Sequence, residues 1–123
     1  MKLKILPPTL RNKKRYIAFE AISEAPLTRD DIISLVHESS LNFHGECKTS
    51  KFDLWVMKVW VTESSNDKNV LKGIIRCERE EVSPVRAAIL LITKFKGRHV
   101  VFHTLGISGT IESAIKKFIK LEN

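Results

Sequence analysis

Residues 52–79 read FDLWVMKVWVTESSNDKNVLKGIIRCER, and the fold follows from how this stretch divides. Phe52 to Thr62 is dense in β-branched and aromatic side chains and bounded by polar ones, the composition of a strand. Glu63 to Asn69 is a polar turn. Val70 to Arg79 is a second strand, with Leu71, Ile75 and Cys77 on one face. Lys72, Ile74, Arg76 and Glu78 occupy the other, because successive side chains of a strand point to opposite sides.

Upstream, Arg15 to Ile22 is a further strand, with Ile17, Phe19 and Ala21 on one parity. Pro26 breaks it. Thr28-Arg29-Asp30-Asp31 matches a capping box, although that motif prefers Glu or Gln at its last position. Ile32, Leu35, Val36 and Phe43 follow at helical spacing, and Gly45 can end the helix. Downstream, Ser83-Pro84 predicts an N-cap followed by proline at the first helical position. That helix is expected through VRAAILLITKF to Gly97. One stripe is Val85, Ala88, Ile89 and Ile92, with Leu90, Leu91 and Phe95 beside it. His99 to Leu105 is a fourth strand. After the Gly106 to Thr110 loop, Ile111, Ala114, Ile115, Phe118 and Ile119 form an apolar stripe opposed by Lys116, Lys117 and Lys120, an amphipathic helix. The order βαββαβ plus a last helix predicts an α+β, ferredoxin-like sandwich of the RNA-recognition type. The expected sheet is four-stranded and antiparallel, in one domain spanning residues 15–123.

Residues 1–14 are a separate basic arm. The chain of 123 residues carries a net charge of +7, and Lys2, Lys4, Arg11, Lys13, Lys14 and Arg15 crowd the first fifteen positions without one carboxylate. A local block of this kind favours a polyanion; a solvated tail is the plainer alternative. No apolar run is long enough to span a bilayer, and no secretory leader is recognised, so a cytoplasmic protein with reduced Cys47 and Cys77 is expected.

No catalytic constellation assembles from spacing. Gly106-Ile107-Ser108-Gly109 is only a partial nucleophile-elbow pattern. His99 and His103 stand about 13 Å apart along a strand, His37 and His44 roughly 10 Å along a helix, and no HExxH or CxxC frame surrounds them. Asp30-Asp31 and Glu80-Glu81 complement helix starts. Neither catalytic residues nor a metal site is expected.

Nucleic acid suits the charge better. An RNA-recognition sheet stacks bases on two or three aromatic residues. Here Lys72-Gly73 is followed by Ile74-Ile75-Arg76-Cys77, and Tyr16 and Phe19 fall on opposite faces. Contact through phosphates is therefore expected. The candidates are Arg11, Lys13, Lys14 and Arg15 in and beside the arm, Lys72 and Arg76 on the sheet, and Arg86 on the second helix. The loop residues Gly106, Ser108 and Gly109 join them, because backbone amides at a helix start favour an anion. Surface ion pairing for the arginines and a plain strand-to-helix turn for the loop are the competing readings.

Four stretches carry a resemblance to a known family: LPPTLRNKKRYIAFE (Leu6 to Glu20), GIIRCER (Gly73 to Arg79), the Val85-Arg86 step and TLGISGTI (Thr104 to Ile111). In order and spacing they resemble the archaeal ribonuclease P protein component 2 family, which has a counterpart in the eukaryotic ribonuclease P and MRP particles. The resemblance implies a ferredoxin-like, non-catalytic subunit of the tRNA 5′-endonuclease, in which the RNA cuts the leader from precursor tRNA using magnesium. It implies no cofactor bound by the protein. It implies pairing with protein component 3, contact with ribonuclease P RNA, indirect contact with precursor tRNA, and association into a two-plus-two assembly or with a second copy. For contact with component 3 or a second copy, part of the apolar surplus of the second helix and of a sheet face with Leu54, Val56, Trp60 and Ile74 is the expected surface. Lys13, Lys14 and Arg15, held where the arm enters the first strand, are expected to matter more than Lys2 and Lys4. Two rivals stand beside this reading: another ribonucleoprotein's RNA-binding protein, and a small metabolite-binding regulator on the same fold.

Overall fold

The structure is a computed structural model that describes residues 14–45, 49, 54–64 and 68–119. Most of the basic arm, with Arg11 and Lys13, lies outside the described residues, as do Cys47 and Lys120.

Strand β1 (Lys14–Ser23) is central because its residues are apolar on both parities. Ile17, Phe19 and Ala21 face one way and Ala18 the other, and all four are fully buried. It pairs antiparallel with β3 (Asn69–Glu78) on one side and β5 (Arg98–Ser108) on the other. β2 (Trp55–Ser64) pairs antiparallel with β3. The short β4 (Lys94–Phe95) completes the order β2-β3-β1-β5-β4. The class is α+β with an open antiparallel sheet of five strands, where four were expected.

The fifth strand arises where the second helix stops early. α2 (Val82–Leu90) ends as the Leu91 and Ile92 amides turn back to Ala88 and Ile89. Ile92 drops into the core at 6% exposure. Lys96 and Gly97 both take positive φ, 50° and 80°, the two-residue turn whose twist matches a hairpin. The Val100 amide donates to Thr93 O and closes it. α2 also starts differently from the expectation. A 3₁₀ turn (Arg79–Glu81) precedes it and Glu81 takes the N-cap position, so Ser83 and Pro84 lie inside the first turn. Proline is tolerated there because first-turn amides lack intrahelical partners.

α1 (Arg29–His44) follows the sequence closely. Thr28 accepts from the Asp31 amide, the Asp31 carboxylate accepts from the Thr28 amide, and Gly45 ends the helix at φ 84°. Ile32, Leu35 and Val36 are buried, but Phe43 is 52% exposed. α1 and α2 cover one face of the sheet, packing on Ile17, Phe19, Leu71, Ile75 and Phe102. The Phe19 and Phe102 rings stack at 5.6 Å.

The last helical segment covers the opposite face. α3 (Ile111–Ala114) continues as a π-helical turn (Ile115–Ile119), and Ala114 and Ile119 bury Ala18 and Ile74. Gly106 makes this possible, because a Cβ there would lie 2.2 Å from the Phe118 ring. The sheet is thus sandwiched, and central strands buried on both faces are apolar on both parities.

Two bulges in β2, between Val56 and Lys58 and between Val61 and Glu63, reverse its alternation. Leu54 and Val56 pack with the α1/α2 layer, whereas Trp60 and Ile74 pack under the last helix. The single face expected for these four residues is therefore two faces. An extra residue that shifts a strand's parity is the definition of a bulge, and a period-two reading carries no mark of one.

Candidate nucleic-acid interface

Register brings five of the expected contacts to one end of the sheet. Lys14 lies opposite Glu78, Arg15 opposite Cys77, and Tyr16 opposite both Arg76 and Ser108. Lys14 and Glu78 form an ion pair, so this lysine spends part of its charge inside the chain. The Arg15 guanidinium donates to Lys14 O at 3.0 Å and lies 3.9 Å from where a Cβ of Gly109 would be. Lys14, Arg15, Arg76, Ser108 and Gly109 are thus neighbours that sequence distance conceals.

The other candidates are placed differently. Lys72 shares the face of Arg76, about 13 Å along β3, and its ammonium makes a long 3.5 Å hydrogen bond to Ile119 O at the end of the last helix. A cation there complements the carbonyl end of a helix. Arg86 is exposed on α2, in the layer on the opposite face of the sheet. Gly106 and Ser108 are not in a loop. They lie in β5, whose one-residue bulge opposite Ala18 and Phe19 carries the strand past Leu105. Gly106 seats the Phe118 ring, and only Gly109 and Thr110 remain as a connection. Thr110 caps α3 by accepting from the Ser113 amide. With one turn of α-helix behind it, this connection lacks the row of aligned amides that holds an anion.

Charge divides by face. The helix layer, formed by α1, the 3₁₀ turn and α2, carries Arg29, Arg79 and Arg86 against Asp30, Asp31, Glu38, Glu80 and Glu81. Among the described residues, the face closed by the last helix carries Lys58, Lys72, Arg76, Lys116 and Lys117 beside the Lys14–Glu78 pair, with Glu20, Glu112 and the Lys68-paired Glu63 as its further carboxylates. Lys58 is not among the expected contacts, and Lys116 and Lys117 are expected only as the polar side of a helix. Their position opposite an apolar stripe was the available signal.

The helix layer instead offers apolar surface. Leu90 and Leu91 are 57% and 53% exposed. A groove of about 610 Å³ runs between α1 and the α2–β4 connection, lined by Leu35, Phe43, Leu91, Ile92 and Phe95, with Glu38, Lys94 and Lys96 also on its wall.

Cys77 carries no visible chemistry. Burial, then the nearby Glu78 and Glu81 carboxylates, push its thiol up to about 11, with Lys14 opposing. A thiol so protonated is a poor nucleophile. Among the described residues, no group of three or more His, Cys, Asp or Glu side chains could hold a metal ion, and no helix is long and apolar enough to cross a membrane.

A sandwiched antiparallel sheet with cations on one face and exposed leucines on the other defines a small α+β protein with two chemically distinct surfaces. The chain belongs to the Rpp14/Pop5 family, whose model matches residues 15–119. It is similar to proteins named ribonuclease P protein component 2. The one from Methanothermobacter thermautotrophicus is 48% identical over 96% of this chain and 94% of its own. That of Pyrococcus abyssi is 46% identical over 97% and 95%. That of Methanocaldococcus jannaschii is 38% identical over 98% and 83%.

Proposed function

We propose that this chain is a non-catalytic, RNA-binding protein subunit of ribonuclease P that supports the catalytic RNA in removing the 5′ leader of precursor tRNA. The observation that carries this is likeness over nearly the whole length to archaeal proteins named for that role. The four long strands and the α1/α2 layer are taken as a ferredoxin-like core, with β4 as an addition at its edge. Residues 1–14 act as a basic arm on the domain 15–123.

The mechanism is electrostatic. A folded RNA core packs phosphates closely and repels itself, and positioned cations offset that repulsion, lowering the magnesium needed. The magnesium belongs to the RNA; the protein holds no cofactor. Arg15 and Arg76, with Lys14, supply cations at the end of the sheet where β1 begins, and Arg11 and Lys13 of the basic arm act with them. Lys72 and Arg86 add to them. Gly109 leaves the backbone open beside Arg15. Protein component 3 docks on the exposed leucines of the helix layer, and pairs associate into a two-plus-two assembly. Precursor tRNA is met indirectly, in the cytoplasm.

Reconstitution tests this. Ribonuclease P RNA and component 3 are mixed with and without the chain, and precursor-tRNA cleavage is measured at limiting magnesium. Cleavage is expected to rise several-fold with the chain. Equal cleavage in both mixtures would refute the reading.

A further inference from the structure

We propose that the RNA lies across the face closed by the last helix, with Lys58, Lys116 and Lys117 as phosphate contacts, while the α1/α2 layer is turned away from it. This rests on the RNA-binding role proposed above and adds which surface performs it.

In RNA-recognition sheets the open sheet face stacks bases. Here that face is closed. Ala114, Ile119, Ile111 and Phe118 pack on Ala18 and Ile74, with Tyr16 and Trp60 partly buried beside them. The rings are spent on a core, so any nucleic acid on this side meets the outer surface of the helix. That surface is cationic. Lys116 and Lys117 are exposed on the π-helical turn. The segment begins just past Ser108, beside Tyr16 and Arg76, and ends at Lys72. Lys58 is exposed on β2, opposite Ile74 in register. Together with Arg76 and Lys72 they make a track continuous with the sheet end where Lys14 and Arg15 begin β1. α1, the 3₁₀ turn and α2 themselves have the reverse character, with more carboxylates than arginines, and Leu90 and the adjoining Leu91 are exposed, while Lys94 and Lys96 stand on the hairpin at the layer's edge. Like charge there repels a polyanion, and charge complementarity selects a face.

Lys94, Lys96 and Arg98 at the β4–β5 hairpin are the rival cationic cluster. Two measurements separate them. The first is lysine acetylation of the wild-type chain with and without a folded ribonuclease P RNA, read by mass spectrometry. Protection of Lys58, Lys116 and Lys117 is expected, with Lys94 and Lys96 still reactive. The second is the salt dependence of RNA binding for Lys116→Ala/Lys117→Ala against Lys94→Ala/Lys96→Ala. The first pair is expected to flatten the slope of log affinity against log salt by roughly 0.7–0.9 per lost contact, and the second to leave it unchanged. Protection confined to Lys94 and Lys96, with the slope of the first pair unaltered, overturns the assignment of the face and leaves the RNA-binding role standing. A wild-type chain with no salt-dependent RNA binding overturns both.

Discussion

Cys77 shows how a single side chain is governed by its setting. It is fully buried on β3 beneath the helix layer, with its thiol pushed from an ordinary 9.0 to about 11. A group whose pKa is higher in the folded state stabilises fully below the unfolded value. As pH rises through 9, the unfolded chain releases its proton first, and stability falls until about 11, where the folded thiol ionises too. Two pKa units correspond to roughly 2–3 kcal/mol. Between pH 8 and pH 11 the wild type should lose about 2 kcal/mol more than Cys77→Ala, read from urea midpoints. Equal losses would show that this thiol is not the group responsible. Lys14 and Arg15 illustrate the limit of reading residues alone. Adjacent in the same basic block, one is tied to Glu78 and the other reaches toward Gly109.

At the level of elements, the last helical segment is the piece that most changes what the sheet can do. It is short, its first four residues are α-helical and its next five π-helical, and a helix of that length has little intrinsic stability. Tertiary packing must hold it. Ile119 is 1% exposed and sits on Ala18 and Ile74. Ile119→Ala should therefore cost about 2–5 kcal/mol, seen as a lower urea midpoint. A loss below about 0.5 kcal/mol would mean that the segment is not docked as described. The capping box of α1, the alternation of β3 and the amphipathic stripe of the last segment were all legible, because each is a local pattern. The early end of α2 was not. Leu91 to Phe95 is as apolar as the helix before it, and only the pairing of β4 with β5 shows why the chain leaves the helix.

On the whole molecule, a cationic face and a more apolar helix layer are the two surfaces proposed above for separate partners. Leu91 is half exposed beside a groove that also includes Phe43 and Phe95. Leu91 is already half in solvent, so Leu91→Glu should cost the isolated chain no more than about 1 kcal/mol. Its association with component 3 should weaken at least tenfold by light scattering or calorimetry, because a charge would be buried at an apolar contact. Unchanged affinity would move component 3 to another surface. For the RNA contacts, the expected residues were legible as cations and illegible as a set. Arg76 and Ser108 reach Tyr16 from opposite sides through two different strand pairings.

The amino-acid sequence by itself determined the order and type of the main elements, the placement of most excess charge before residue 16, and the likeness to a known family. Period-two and period-3.6 burial, caps and net charge are written in near neighbours. Only the tertiary structure decided that the sheet has five strands, that its second face is closed by the last helix, and that Gly106 serves packing against Phe118. Those outcomes depend on register, bulges and which surfaces meet, and all three are set by contacts between residues far apart in the chain.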